Sequence, residues 1–352
     1  MERVIHSRAP LRINDIGGWT DTWFAGEGWV LNLAISPPVE VQIKVRPDRK
    51  VGRKNVFFRA ENYRQSFLVD PRHPSSSPHP LLQQVVARVP PAPQLEVRIR
   101  VFSPVPAGIS TGTSASVCVA LLGALLHLRG ERLFPSRVAR LAHLVETEDL
   151  GMQSGIQDQV AAAYGGVCFI HMPQYPRFQV TRINLPDEIQ HELERRLSLI
   201  YLGRPHCSSV LHERVVSSLE RGGSGRKILE ALKKLPEQAR TFLAAGDLDS
   251  YGQMMVENNE YQRKLLPELI SPEADAVIRV AKRYRASGWK VNGAGGRGGS
   301  MTVLADADDE RRRRMLEEII SLGSGIRLLP AYLSSSGLRV WDVRQGRRSA
   351  AV

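Results

Sequence analysis

Apolar and polar residues alternate with period two in Val39-Glu40-Val41-Gln42-Ile43-Lys44-Val45 and in Leu95-Glu96-Val97-Arg98-Ile99-Arg100-Val101. That spacing puts every apolar side chain on one face, and predicts two half-buried strands. The second runs into Ser103-Pro104-Val105-Pro106-Ala107-Gly108-Ile109-Ser110-Thr111-Gly112-Thr113-Ser114, followed by a strongly apolar helix over 115–128. Another helix is expected over about 135–150, with a small-residue turn at 161–166. Pro and Ser crowd both ends of 71–94, so two loops should flank a short helix over 81–89. Beyond a boundary near 180–190 the pattern predicts a strand at 197–201, polar helices across 208–262 and a helix over 272–287. A strand, a glycine-rich turn and a strand follow over 289–304, then a charged helix near 308–321 and a closing strand at 338–343. Mixed strands and helices with antiparallel features indicate an α+β protein in two lobes, 1–185 and 186–352.

Composition narrows the class. Of 352 residues, 42% are hydrophobic and 24% charged, the balance of a globular protein. The longest apolar stretch, 117–126, falls short of the ~20 residues a membrane helix needs. No apolar core of signal-peptide length opens the chain, so a cytoplasmic protein is expected, with no membrane partner. Cys118, Cys168 and Cys207 are too few and scattered for a disulfide framework or a structural zinc. The net charge of +12 favours anionic ligands. It is evenly spread: residues 1–180 hold 20 Lys+Arg against 14 Asp+Glu, and residues 181–352 hold 28 against 22. Arg311 to Arg314 sit between acidic clusters, the pattern of a charged helix face. Nucleic-acid binding rests on the charge alone and is the weakest functional class.

Four segments carry chemistry. The small residues of 106–114, between strand and helix, let backbone N–H groups and a helix N-terminus approach an anion. Ser or Thr there can offer a hydroxyl to Mg²⁺, although no Lys follows Gly112 as a Walker loop requires. Read alone, this is equally a tight turn opening a core helix. Asn292-Gly293-Ala294-Gly295-Gly296-Arg297-Gly298-Gly299 contains GxGxxG, but strand-like residues follow where a dinucleotide fold needs a helix. In Gly155-Ile156-Gln157-Asp158-Gln159, after Glu146, Glu148 and Asp149, an Asp could orient a substrate hydroxyl; solvated acids at a helix end are the plainer reading. Finally, Ala9-Pro10-Leu11-Arg12-Ile13-Asn14-Asp15-Ile16-Gly17-Gly18-Trp19-Thr20-Asp21 places a cation, an aromatic face and a carboxylate close together. That combination suits a sugar, or a turn with a surface Asp.

In this order and at these distances, the segments resemble the GHMP family of galactokinase, homoserine kinase, mevalonate kinase and phosphomevalonate kinase. The resemblance implies a two-lobed fold, a ribosomal-protein-like N-terminal lobe and a ferredoxin-like C-terminal lobe, with ATP and Mg²⁺ bound between them. It implies that Gly108, Ser110, Thr111, Gly112, Thr113 and Ser114 cradle the ATP phosphates. Ser114 and Glu146 would hold Mg²⁺, while Asp158 and Arg12 would be catalytic. Trp19, Thr20, Asp21, Gly293, Gly295 and Gly296 would face the substrate. The wording Gly-Gly-Trp-Thr-Asp and Gly-Ile-Gln-Asp-Gln is most similar to the heptose-7-phosphate kinase and fucokinase branch, which phosphorylates an anomeric hydroxyl. D-glycero-D-manno-heptose 7-phosphate is the first expected substrate, with Arg204 and His206 as candidates for its far phosphate. A neutral hexose, or a sugar- and ATP-binding regulator, are the alternatives. Ser110 and Thr111 stand where the family has Gly and Leu; Ser fits there if its φ is negative. Arg297 interrupts the glycine run and would reach a phosphate or solvent. The oligomeric state is not legible.

Overall fold

The computed structural model describes residues 2–47, 56–71, 79–106, 108–205, 209–220 and 224–343. In the first lobe, β1 (Arg3–Ile16) and β2 (Gly28–Pro47) form a long antiparallel pair. Their register sets Ile5 opposite Ile43, Ala9 opposite Val39 and Leu11 opposite Ile35, so the apolar alternation of both strands meets on one face. The register slips between Ala9 and Leu11 and again between Ile13 and Ile16. Bulges of this kind re-aim the residues between them. They carry Arg12 inside the protein rather than onto its surface, at 5% exposure.

β3 (Val56–Ala60) and β4 (Gln65–Val69) form a hairpin, and α1 (Pro80–Arg88) and β5 (Leu95–Phe102) follow. Next come α2 (Thr113–Leu128), α3 (Pro135–Leu144) and α4 (Gln157–Tyr164), then β6 (Val167–Gln174) and β7 (Arg177–Ile183). α2 has eleven buried residues, which matches a sequence apolar all round. The helix expected over 135–150 is regular only to Leu144. Val145–Asp149 is wound as a π-helical turn, which brings Glu146 into the interior.

The second lobe starts with α5 (Asp187–Arg196) and β8 (Leu197–Leu202). Four helices follow: α6 (Ser209–Glu220), α7 (Ser224–Leu232), α8 (Leu235–Ala245) and α9 (Leu248–Leu265). α10 (Pro272–Arg283), β9 (Gly288–Val291), β10 (Ser300–Leu304), α11 (Asp309–Ser321) and β11 (Ile326–Leu329) complete it. β11, β8, β10 and β9 make a four-stranded antiparallel sheet in that order. Its core gathers Ile200, Met301 and Val303 with Val277 and Ile278 of α10 and Ile319 of α11.

The chain then crosses back. β12 (Tyr332–Leu333) pairs with β2 and β13 (Arg339–Asp342) with β1, so the closing strand completes the nine-stranded sheet of the first lobe. The cut at 185/186 therefore assigns these two strands to the other lobe. Each element is short and locally ordinary, so alternation alone cannot say which sheet receives it. Cys118 and Cys168 are buried free thiols, and Cys207 lies outside the described residues.

Candidate active site

Both lobes contribute to one cleft of about 470 Å³. Arg12 is its centre. Its Nε donates to Asp158 Oδ1 at 2.7 Å and its Nη2 to Asp158 Oδ2 at 3.0 Å, while Nη1 donates to the Ser110 carbonyl. Burial would pull the Arg12 pKa down, but Asp158, Asp15 and Asp21 outweigh it and hold the guanidinium above its ordinary value. The Arg12 amide also donates to the Thr111 carbonyl at 3.0 Å, tying the loop before α2 to β1. The Ser116 hydroxyl donates to the Pro10 carbonyl at 2.7 Å and fixes the first turn of α2 to the same strand.

α2 opens at Gly112, which has φ 69° and leaves the helix without a side-chain cap. Its first N–H groups are thus free of a protein carboxylate, as an anion site requires. Gly112 is needed twice over: a Cβ there would lie 3.2 Å from the Asp158 carboxyl and 3.4 Å from Arg12 Cγ. Ser110 has φ 63°, contrary to the expectation of a negative angle. Its hydroxyl is buried without a hydrogen-bond partner, and its carbonyl is held by Arg12. The left-handed backbone at Ser110 and the Arg12 contact to its carbonyl occur together. Ser114, exposed on the first turn, also lines the cleft.

Asp21 and Glu146 form the opposite wall. Asp21 Oδ2 accepts the Gln157 amide at 3.0 Å and so caps α4 from outside. Gly155 admits it, since a Cβ there would lie 2.1 Å from Asp21 Oδ2. Burial lifts the Asp21 pKa to about 6, against the Gln157 hydrogen bond and with help from Asp158. Glu146 Oε2 accepts Ser154 Oγ at 2.8 Å and Gln159 Nε2 at 2.6 Å; burial nonetheless lifts its pKa to about 7. Trp19, buried and at φ 77°, lines the cleft between these walls.

Not every expected residue reaches it. The Thr20 hydroxyl is bound to the Gly17 and Trp29 carbonyls, both at 2.8 Å, so it braces its own turn. Gly293 lines the cleft, whereas Gly295 and Gly296 pack on the Leu269 carbonyl at the edge of the second lobe. Arg204 pairs with Glu273 on the surface, and Arg297 is exposed. His206 lies outside the described residues. Conversely, Asp15 lines the cleft and Lys290 sits behind it, wholly buried; sequence reasoning missed both. The signal was one Lys inside an otherwise apolar four-residue strand. The stripe Tyr251, Asn258 and Gln262 on α9 was also missed; these residues bind Asn14, Gly17 and Gly293.

No cluster of three or more His, Cys, Asp or Glu suits a metal among the described residues. A resident all-protein centre is not what they form. Mg²⁺ instead takes one or two carboxylates together with substrate phosphates, and Ser114 and Glu146 both line the cleft.

An α+β fold with an uncapped helix N-terminus facing an Arg–Asp pair forms a cleft suited to an anionic ligand. The description GHMP kinases N terminal domain matches residues 81–166, and GHMP kinases C terminal matches residues 228–324. The chain belongs to the GHMP kinase family, and it is a kinase that acts on an alcohol acceptor. A D-glycero-alpha-D-manno-heptose 7-phosphate kinase of Campylobacter jejuni is 26% identical over 86% of this chain and 90% of its own. A bifunctional fucokinase/GDP-fucose pyrophosphorylase of Arabidopsis thaliana is 26% identical over 88% of this chain, which spans 31% of that relative's length. A crystal structure of a D-glycero-D-manno-heptose 1-phosphate kinase from Bacteroides thetaiotaomicron superimposes with TM-score 0.73 at 20% identity, covering 97% of this chain and 100% of that one.

Proposed function

We propose that this kinase transfers the γ-phosphoryl group of ATP to a hydroxyl of a sugar, the anomeric one. The observation that carries the reading is the Arg12–Asp158 pair, placed against the uncapped start of α2 in one interlobe cleft. The amides at Gly112 to Ser114 would receive phosphate oxygens. Ser114 and Glu146 would hold Mg²⁺, which supplies charge neutralisation when bound. Asp158 orients and receives the proton of the accepting hydroxyl, and Arg12 stabilises the charge that develops on the transferred group. An apolar recess lined by Leu81, Leu82, Val105 and Val117 adjoins Gly108 and Thr113 and suits the nucleobase. The anomeric position rests on likeness to the heptose kinase and fucokinase relatives.

The lining supports a neutral sugar over a sugar phosphate. Arg12, the one Lys or Arg among the described lining residues, is already paired, and Asp15, Asp21, Glu146 and Asp158 stand around it. A far phosphate such as that of heptose 7-phosphate would need a free cation, and Arg204 faces Glu273 instead.

Phosphate transfer from Mg·ATP to a panel of aldoses, heptoses and their terminal phosphates, followed by mass spectrometry, tests both statements. Product should form on neutral sugars, and Asp158→Asn should lower turnover about 10²–10⁴-fold with the fold retained. Product from sugar phosphates alone would refute the neutral acceptor. A bound but unphosphorylated panel would mark a regulator.

A further inference from the structure

Lys290 has no exposed surface and Asp15 is 1% exposed, yet they meet across the lobe boundary from strands of different sheets. Lys290 Nζ donates to Asp15 Oδ1 at 3.0 Å and to the Val291 carbonyl at 2.9 Å. The same Asp15 oxygen accepts the main-chain amide of Gly293 at 3.0 Å. The Gly293 carbonyl accepts Gln262 Nε2 at 3.1 Å, so both sides of this residue are held. Gly293 lies directly over the reacting groups: a Cβ there would be 3.0 Å from Arg12 Nη2 and 3.2 Å from the Ser110 carbonyl.

A buried ion pair adds little stability over an apolar pair of similar volume, because desolvation of both charges offsets their attraction. Stability therefore does not account for placing this one in the wall of a phosphate cleft. Two features of its geometry do. Asp15 reaches past Lys290 to a backbone N–H of the other lobe, and Lys290 matches the Asp15 charge. The match leaves Arg12 committed to Asp158 and to the incoming phosphoryl group.

We infer that Asp15, held by Lys290, is a positioning residue for the phosphoryl transfer: it fixes the Gly293 amide against Arg12 and Ser110 and so sets the width of the cleft. This rests on the kinase reading given above. In this role the two residues act through the Gly293 amide.

Two double variants of the full chain separate positioning from packing. Asp15→Leu with Lys290→Met removes both charges and the acceptor for Gly293. Asp15→Asn with Lys290→Met removes both charges and keeps an acceptor oxygen. Hydrogen exchange of a peptide spanning 288–300 should speed up at Gly293 at least tenfold in the Leu form, and return towards the parent rate in the Asn form. With the sugar phosphorylated by the parent, kcat should fall at least thirtyfold in the Leu form at similar melting temperature. The Asn form should recover at least tenfold of that loss, with KM for ATP moving less than kcat in both. If the Leu form does not fold, Asp15→Ala with Lys290→Met takes its place, since it too removes both charges and the acceptor for Gly293. Parent-like exchange and kcat in a folded Leu or Ala form would overturn the inference while the kinase reading stands. Equal losses in the Leu and Asn forms would also overturn it, as the acceptor would not matter. A parent inactive on every sugar would bring down the sugar-kinase reading and this inference together, whatever the exchange shows.

Discussion

Ser110 shows how one residue can carry backbone strain inside a working loop. Its φ of 63° is a region where a side chain costs about 1–2 kcal/mol, and its carbonyl is held there by Arg12. Ser110→Gly should relieve that strain, less the extra freedom glycine gains when unfolded, and raise the melting temperature by about 1–2 °C in a calorimetric scan. Asp21 gives a sharper test. Its pKa in the fold, about 6, lies above that of an unfolded Asp, so the folded protein binds this proton more tightly. The resulting stability is present in full below about pH 4 and is lost as pH rises through 6, a change of about 3 kcal/mol. Asp21→Asn should therefore flatten that part of the stability profile, and parallel slopes in mutant and parent would exclude the assignment. At this scale the sequence was informative where chemistry shares a short segment. Arg12, Asp158, Asp21 and Glu146 could be named from their segments and the family resemblance. Asp15 and Lys290 could not, because their meaning exists only once residues from two sheets touch.

At the scale of elements, the junction of loop and helix at Gly112 does what no single contact could. Gly112→Ala should cost about 1–2 kcal/mol for the positive φ and push its Cβ into the Asp158 carboxyl. A turnover loss of about 10² or more, with the far-ultraviolet circular dichroism preserved, is the expected outcome. Alternation predicted the cores of β2 and β5, and apolar content predicted α2, because each of these buries one continuous face. The same cues overran α3. A π-helical turn follows the residue pattern of a helix closely, and only the need to bring Glu146 to Ser154 and Gln159 distinguishes the two. The glycine-rich segment 292–299 does not open a dinucleotide-binding unit, since β10 rather than a helix follows it.

Across the whole molecule, the two sheets were anticipated as two lobes, but not the return of the chain to the first. β13 pairs with β1 over Ile5 to Arg8, Arg3 Nε donates to Asp342 at 2.7 Å, and Leu338 fills the space above Gly123 of α2. Deleting residues 331–352 should thus destabilise the first lobe, although the segment contributes nothing to the cleft lining described. Limited proteolysis should show earlier cutting near β1, with the second sheet protected for longer. Equal protection of both would mean that these strands only decorate the edge.

That return fixes an order of events during synthesis. Arg3 and Asp342 are 339 residues apart. A ribosome releases β1 well before β13, with the whole second sheet made in between. Closing so long a loop delays the contact that seals the edge. Until then β1 presents an unpaired border to whatever surrounds the nascent chain. The described cleft lining ends at Ala294, so a ligand of the cleft can bind a partly emerged chain whose outermost strand has yet to arrive.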